Sequence, residues 1–257
     1  MKGAREKRGE INDQYIKDHA HLPNNVLLQL IEDPDPQKRT VAAALLGQRK
    51  DQSAIPLLCK KLSIEKALYS KIAMSNALVE IGPAVLEELG SYIGKIGKNQ
   101  HESLPTEIFK KKSYPLPRDI AIRAIIRIGP PAIPYLLKLL NNNPPSLLSE
   151  IVDAIGHIAF YSQNQDALED LILVFNYSEE MKILHWKVIR AFQGFKDDRV
   201  IQLLESVLES SKVPAHRWEA ARSLSQIKTH KSRSIVKNWL HDKDRKVAEM
   251  AEISLRW

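Results

Sequence analysis

The sequence predicts an all-α protein, a right-handed α-solenoid of about seven helix pairs. Three observations carry this prediction. An apolar stripe spaced three, four and seven residues recurs along the chain, which is one face of an α-helix. Hydrophobic residues make up 44% of the 257 positions but aromatics only 6%, with 10 Gly, a balance unsuited to a β-sandwich or barrel. Asp33-Pro34-Asp35-Pro36, Gly82-Pro83 and Gly129-Pro130-Pro131 fall where helices would begin or end.

Residues 1–22 are predicted to form a capping helix, roughly Ile11–His21, because terminal repeats need a polar outer face. Residues 23–257 form the repeats. Their first helices are anchored at Val26, Ile55, Val85, Ile133, Leu168, Ile201 and Ile235, separated by 29, 30, 48, 35, 33 and 34 residues. The second helices align on Arg39, Lys71, Arg118, Leu148, His185, Arg217 and Ala248, a column we call the ladder position. Counting from it, the 3-4-7 stripe reads Ala42, Ala43, Leu46 in the first copy, Ala121, Ile122, Ile125 in the third and Ala220, Ala221, Leu224 in the sixth. Asp33-Pro34-Asp35-Pro36 marks one helix boundary, and Gly82-Pro83 and Gly129-Pro130-Pro131 mark two more. The anchor-to-ladder distance is 13 to 17 residues in six copies but 33 in the third, so an inserted loop is predicted at about 95–117. No helix could bury its stripe alone, so the pairs must stack.

Asp33-Pro34-Asp35-Pro36-Gln37-Lys38-Arg39, then Ala42–Gly47 and Ala54-Ile55-Pro56-Leu57-Leu58, resembles a HEAT-like repeat of the phycobilisome-lyase type. Ile128–Leu136 and Arg217 with Ala220-Ala221 match the pattern again. Copies four and seven depart from it, carrying Leu148 and Ala248 at the usually basic ladder position. The resemblance implies that each second helix lines the concave surface. It also implies that the ladder residues tie neighbouring repeats together through carboxylates and carbonyls.

With the stripe buried, positions one, five and nine after the ladder lie on another face of the same helix. In copies three to six that face carries Arg123, Arg127, Asp153, His157, Trp186, Arg190, Trp218 and Arg222. Trp186 and Arg190 recur one repeat later as Trp218 and Arg222 at the same spacing. Aromatic planes interleaved with Arg suit stacking on bases, holding an anionic planar ligand, or anchoring a protein partner. These eight residues are the candidate binding site, with both Trp expected to be accessible in the groove. The alternative is that the Trp side chains roof the core and the Arg side chains pair with neighbouring carboxylates.

There are 38 Lys and Arg against 31 Asp and Glu, a formal +7, and residues 212–257 alone hold 11 against 5. A basic surface suits an anionic partner. The single Cys59 excludes an intrachain disulfide framework and a Cys-rich metal site, and suits a reducing, cytoplasmic setting. No apolar run is long enough to span a membrane. Gly90–Lys95 falls short of a phosphate-binding loop, and His19 with His21 lacks further metal ligands. Asp153 and His157 could pair as acid and base, but no Ser or Cys nucleophile accompanies them. The function expected is therefore a non-catalytic scaffold, without cofactor or metal, holding a protein partner in its groove. The alternative is nucleic-acid binding through the Trp and Arg set. A sharper form of it resembles the alkylation-repair DNA glycosylases, with Asp153 as the catalytic carboxylate. A phycobilin-lyase-like role rests on the repeat type alone.

Overall fold

The computed structural model describes residues 2–141 and 143–257. Among them lie fifteen α-helices, short 3-10 turns and no strand. Their contacts divide the chain into two units. One runs to Lys98 and resumes over Asp119–Ala132; the other comprises Asn99–Arg118 and Ile133–Trp257.

The first unit opens with α1 (Asp13–His19), started by Asn12, whose side chain accepts from the Tyr15 amide. Three pairs follow: α2 (Asn24–Leu30) with α3 (Pro36–Gln48), α4 (Ile55–Ile64) with α5 (Leu68–Ile81), and α6 (Leu86–Gly90) with α7 (Ile120–Ile128). Second helices stack in chain order, α3 on α5 and α5 on α7. The 3-4-7 residues face into that stack: Ala42, Ala43, Leu46, Met74, Leu78, Ala121, Ile122 and Ile125 are all buried. Burying each large side chain stabilises the stack by about 1.5–3 kcal/mol. At Gly47 the helices meet backbone to backbone, since a Cβ there would lie 2.6 Å from the Ala77 Cα. Gly82 and Gly129, both at positive φ, end α5 and α7 just before a proline, as their sequence contexts predict.

The second unit has four pairs: α8 (Ile133–Leu139) with α9 (Pro145–Ser162), α10 (Leu168–Tyr177) with α11 (Lys182–Ala191), α12 (Asp198–Ser210) with α13 (Pro214–Ile227), and α14 (His230–Lys237) with α15 (Arg245–Leu255). Here α9 packs on α11, α11 on α13 and α13 on α15. The stripe is buried through α13; in α15 Ala251 is buried, Leu255 half-buried and Glu252 exposed. The described residues thus contain the seven helix pairs of the predicted α-solenoid.

Two ladder residues tie repeats together as expected. Arg39 donates to both Glu65 oxygens at 2.7 and 2.9 Å and to the Asp33 and Pro34 carbonyls. Arg217 does the same with Asp242, at 3.1 and 2.9 Å, and with the Ser211 carbonyl. Such bidentate, charge-assisted bonds fix one helix pair against the next. Arg118 instead lies exposed, two residues before α7, because Asp119 starts that helix by accepting from the Ile122 amide. The 99–118 stretch forms neither helix nor strand.

Candidate functional site

The face one, five and nine residues past the ladder differs between the units. In the first it is largely open: Gln48, Ile72, Glu80, Arg123 and Arg127 are exposed, and Arg127 Nη1 donates to Asn76 Oδ1 at 2.8 Å. In the second it is covered. Trp186 is 0% exposed, Trp218 2%, Arg190 4%, and Arg222 and Asp153 0%. The expectation that both Trp are accessible is therefore corrected.

The cover is the chain's own 99–118 segment. Arg222 Nη2 donates to the main-chain carbonyls of Lys111 and Ser113 at 3.1 and 2.7 Å, and its guanidinium lies 5.0 Å from the Phe109 ring centroid. The Tyr114 hydroxyl donates to Asp153 Oδ1 at 3.1 Å. His101 meets Trp186 edge-on at 5.0 Å between ring centroids. At the exposed rim Lys110 pairs with Glu249, and Lys246 with Glu107 at 2.9 Å and with the Thr106 carbonyl. Gly156 makes the seat for Tyr114, because a Cβ there would collide with the phenol and come within 2.6 Å of the Ala191 Cα. A side chain at that position would push off both the segment and α11.

Beneath the segment lies a network of buried charges. Asp153 pairs with Lys187 and, at 3.6 Å, with Arg190. Glu219 accepts from Trp186 Nε1 at 3.0 Å, Arg190 Nη2 at 3.3 Å and Arg222 Nη1 at 3.1 Å. Arg222 Nη1 also donates to Gln193 Oε1. The Arg190 guanidinium sits 3.9 Å above the Trp186 ring. The two Trp rings are neighbours at 6.4 Å, but inclined at 68°, so no parallel slot for a planar ligand opens between them.

Burial alone would raise the Asp153 carboxyl, but Lys187 and Arg190 outweigh it and hold the group below the ordinary range. Burial likewise opposes the charge on Arg190, yet Glu219 and Asp153 prevail and raise its pKa. Burial drives the Tyr114 phenol well above 10, with Asp153 reinforcing it. His101 is pushed down to about 3 by burial and then by Lys187, Arg118 and Arg190, so its imidazole is neutral at physiological pH. The acid–base pairing that the spacing of Asp153 and His157 would allow does not form. Asp153 spends its oxygens on Lys187, Arg190 and Tyr114, while half-buried His157 packs edge-on against Tyr114 and its Nδ1 has no hydrogen-bond partner among the described residues.

Of the eight predicted site residues, the structure gathers Asp153, Trp186, Arg190, Trp218 and Arg222 in one network and leaves His157 at its edge. Arg123 and Arg127 belong to the other unit. Sequence reasoning missed Lys187, Glu219, Phe109 and Tyr114. A signal existed for the first two. Two positions after the ladder the residue is apolar in four copies (Val41, Ala73, Ile120, Met250), but copies four to six carry Glu150, Lys187 and Glu219. Charges replacing buried apolar residues on three successive helices mark a polar interior site. Among the described residues no group of three or more His, Cys, Asp or Glu is placed to hold a metal ion.

Residues 176–256 match the family model for HEAT repeats. Solved structures similar to the chain include human deoxyhypusine hydroxylase in complex with glycerol, at 19% identity and TM-score 0.40, covering 94% of this chain and 87% of that one. An engineered protein is similar at 19% identity and TM-score 0.41, covering 96% and 98%. A designed armadillo repeat protein is similar at 16% identity and TM-score 0.39, covering 91% and 99%. No curated protein sequence matches the chain.

Proposed function

We propose that this HEAT-like repeat protein is a non-catalytic scaffold that holds a polypeptide partner across the second-helix face of α9, α11 and α13. The observation that carries the reading is Arg222, whose guanidinium takes two main-chain carbonyls, of Lys111 and Ser113, from a segment without helix or strand. Carbonyl recognition holds a chain whatever its side chains are, and aromatic seats then add selectivity. The phenol seat at Asp153 and the ring seat at Arg222 supply the second element. The single buried thiol of Cys59 fits work in a reducing, cytoplasmic setting.

The stacking set that nucleic-acid binding calls for is engaged internally: Arg190 and Arg222 both pair with Glu219. Asp153, the carboxylate a glycosylase-like reaction needs, is buried between Lys187 and Tyr114. Fluorescence anisotropy tests the proposal directly, titrating the full chain against aromatic-containing peptides and against single- and double-stranded DNA at two salt concentrations. Micromolar peptide binding, lost in Arg222→Ala, is expected. DNA binding that weakens steeply with salt, with no peptide binding, would overturn the reading.

A further inference from the structure

The segment that fills the groove has the attributes of a ligand more than of a structural element. Its hold on the rest of the second unit is made by the Lys111 and Ser113 carbonyls on Arg222, the Phe109 ring beside the same guanidinium, the Tyr114 hydroxyl on Asp153 and the His101 ring on Trp186, with the Ile108 and Pro117 side chains buried as well. A separate peptide bent as residues 111–113 are, so that two carbonyls reach one guanidinium nitrogen, could make every one of these contacts. Between and around the anchors the segment faces water, with Glu102, Ser103, Thr106, Glu107 and Lys110–Lys112 all exposed. Its rim contacts, Lys110 with Glu249 and Lys246 with Glu107, join partly exposed side chains, the kind of ion pair that contributes little and is screened by salt.

The floor beneath it is built to survive uncovering. Asp153, Lys187, Arg190, Glu219 and Arg222 are five charged side chains sealed from solvent. For stability alone, well-packed apolar residues would serve as well or better. Lifting the segment rehydrates these charges, and that hydration offsets part of the lost contacts, whereas an apolar floor would be left bare. In the covered state Arg190 Nε and Arg222 Nε have no hydrogen-bond partner among the described residues.

Resting on the scaffold reading above, we infer that residues 99–118 are an intramolecular competitor for the partner's place. The groove is closed in cis by its own segment and opens to a peptide of like chemistry. That peptide carries two aromatic side chains about five positions apart, with lysine between them, as Phe109, Lys110–Lys112 and Tyr114 do here. The apparent affinity for such a peptide is its intrinsic affinity reduced by the fraction of molecules open.

The test uses the full chain, a fluorescein-labelled peptide of residues 99–118, and a double variant, Lys246→Glu with Glu249→Lys. The substitutions set Glu against Glu107 and Lys against Lys110, loosening the rim without touching the floor. Lys110→Glu, on the segment itself, is a second route to the same release. Acrylamide quenching of tryptophan reports whether Trp186 and Trp218 have been uncovered. The expected result is peptide binding at least fivefold tighter in the variants than in the wild type, with stronger quenching. Equal, tight binding by wild type and variants would overturn the cis competition and leave the scaffold reading standing. Unchanged quenching with no binding would make the segment a fixed part of the fold and overturn the inference. Stronger quenching with no binding would show an open groove that takes no polypeptide, which overturns the scaffold reading itself.

Discussion

Removing the Glu219 carboxylate is the sharpest perturbation of the buried network. It accepts from Trp186 Nε1, Arg190 and Arg222 at 3.0, 3.3 and 3.1 Å, and all three donors are buried. Glu219→Ala leaves two guanidinium groups short of their countercharge. Breaking a buried ion pair by deleting one partner costs about 3–5 kcal/mol. Arg222 keeps Gln193 and two carbonyls, and Arg190 keeps Asp153 at 3.6 Å, which argues for the lower part of that range. The stranded Trp186 donor pulls the other way, so about 4 kcal/mol is expected. At roughly 2–4 °C per kcal/mol for a chain of this size, the melting temperature should fall by about 8–16 °C. Thermal unfolding followed by far-ultraviolet circular dichroism measures it. Glu219→Gln, which keeps an acceptor but loses the charge, should fall between the two. A loss under about 1 kcal/mol for the alanine variant would mean that these charges are hydrated in solution, and the covered groove would be wrong.

Leu78→Asp or Ile125→Asp, each at a fully buried stripe position of the first unit, should cost more than about 4 kcal/mol and melt that unit; wild-type melting would refute the phase assigned to the second helices. Cys59 is buried and its thiol is pushed up to about 12 by burial, so a thiol reagent should label it only on unfolding; fast labelling of the native protein would contradict its placement. Burial and neighbouring cations hold His101 at about 3 while the segment is seated, against an ordinary 6.5 when it is released. Seating is thus favoured above pH 6.5 and weakens as pH falls from there towards 3, so tryptophan quenching should rise a few-fold between pH 7.5 and 5.5. A flat response over that range would refute the seat of His101 beside Lys187, Arg118, Arg190 and Asp153.

The helices were legible because each carries its own evidence. A 3-4-7 stripe states which face is buried, and Gly82-Pro83 or Asp119 states where a helix stops or starts. The recurrence of Trp186–Arg190 as Trp218–Arg222 likewise picked out the right surface. What it could not state was the occupant. Ser113 and Arg222 are 109 positions apart, and no local periodicity links them. The spacing predicts only that a loop is inserted, whereas its aromatics and carbonyls lie on the binding face. Both Trp are buried and their Arg partners pair with a neighbouring carboxylate, as the alternative for that face has it, and His101 of the inserted segment packs on Trp186. The charges at Lys187 and Glu219 were overlooked because attention stayed on the apolar stripe and its opposite face, while they occupy the edge between them.

The order of residues along the chain gives the covered groove a history. Ser113 is synthesised 109 residues before Arg222, the side chain that holds its carbonyl. At typical rates of about 5–20 residues per second, that interval lasts roughly 5–20 s. Throughout it the Arg222 part of the segment's seat is missing, although Asp153, which takes the Tyr114 hydroxyl, follows within 39 residues. Each newborn molecule therefore passes through a period with its future occupant at large. Closure has to wait for the full set of second helices in that unit, so seating belongs among the late, long-range steps of folding. A polypeptide present when the floor is completed competes for it with the chain's own segment.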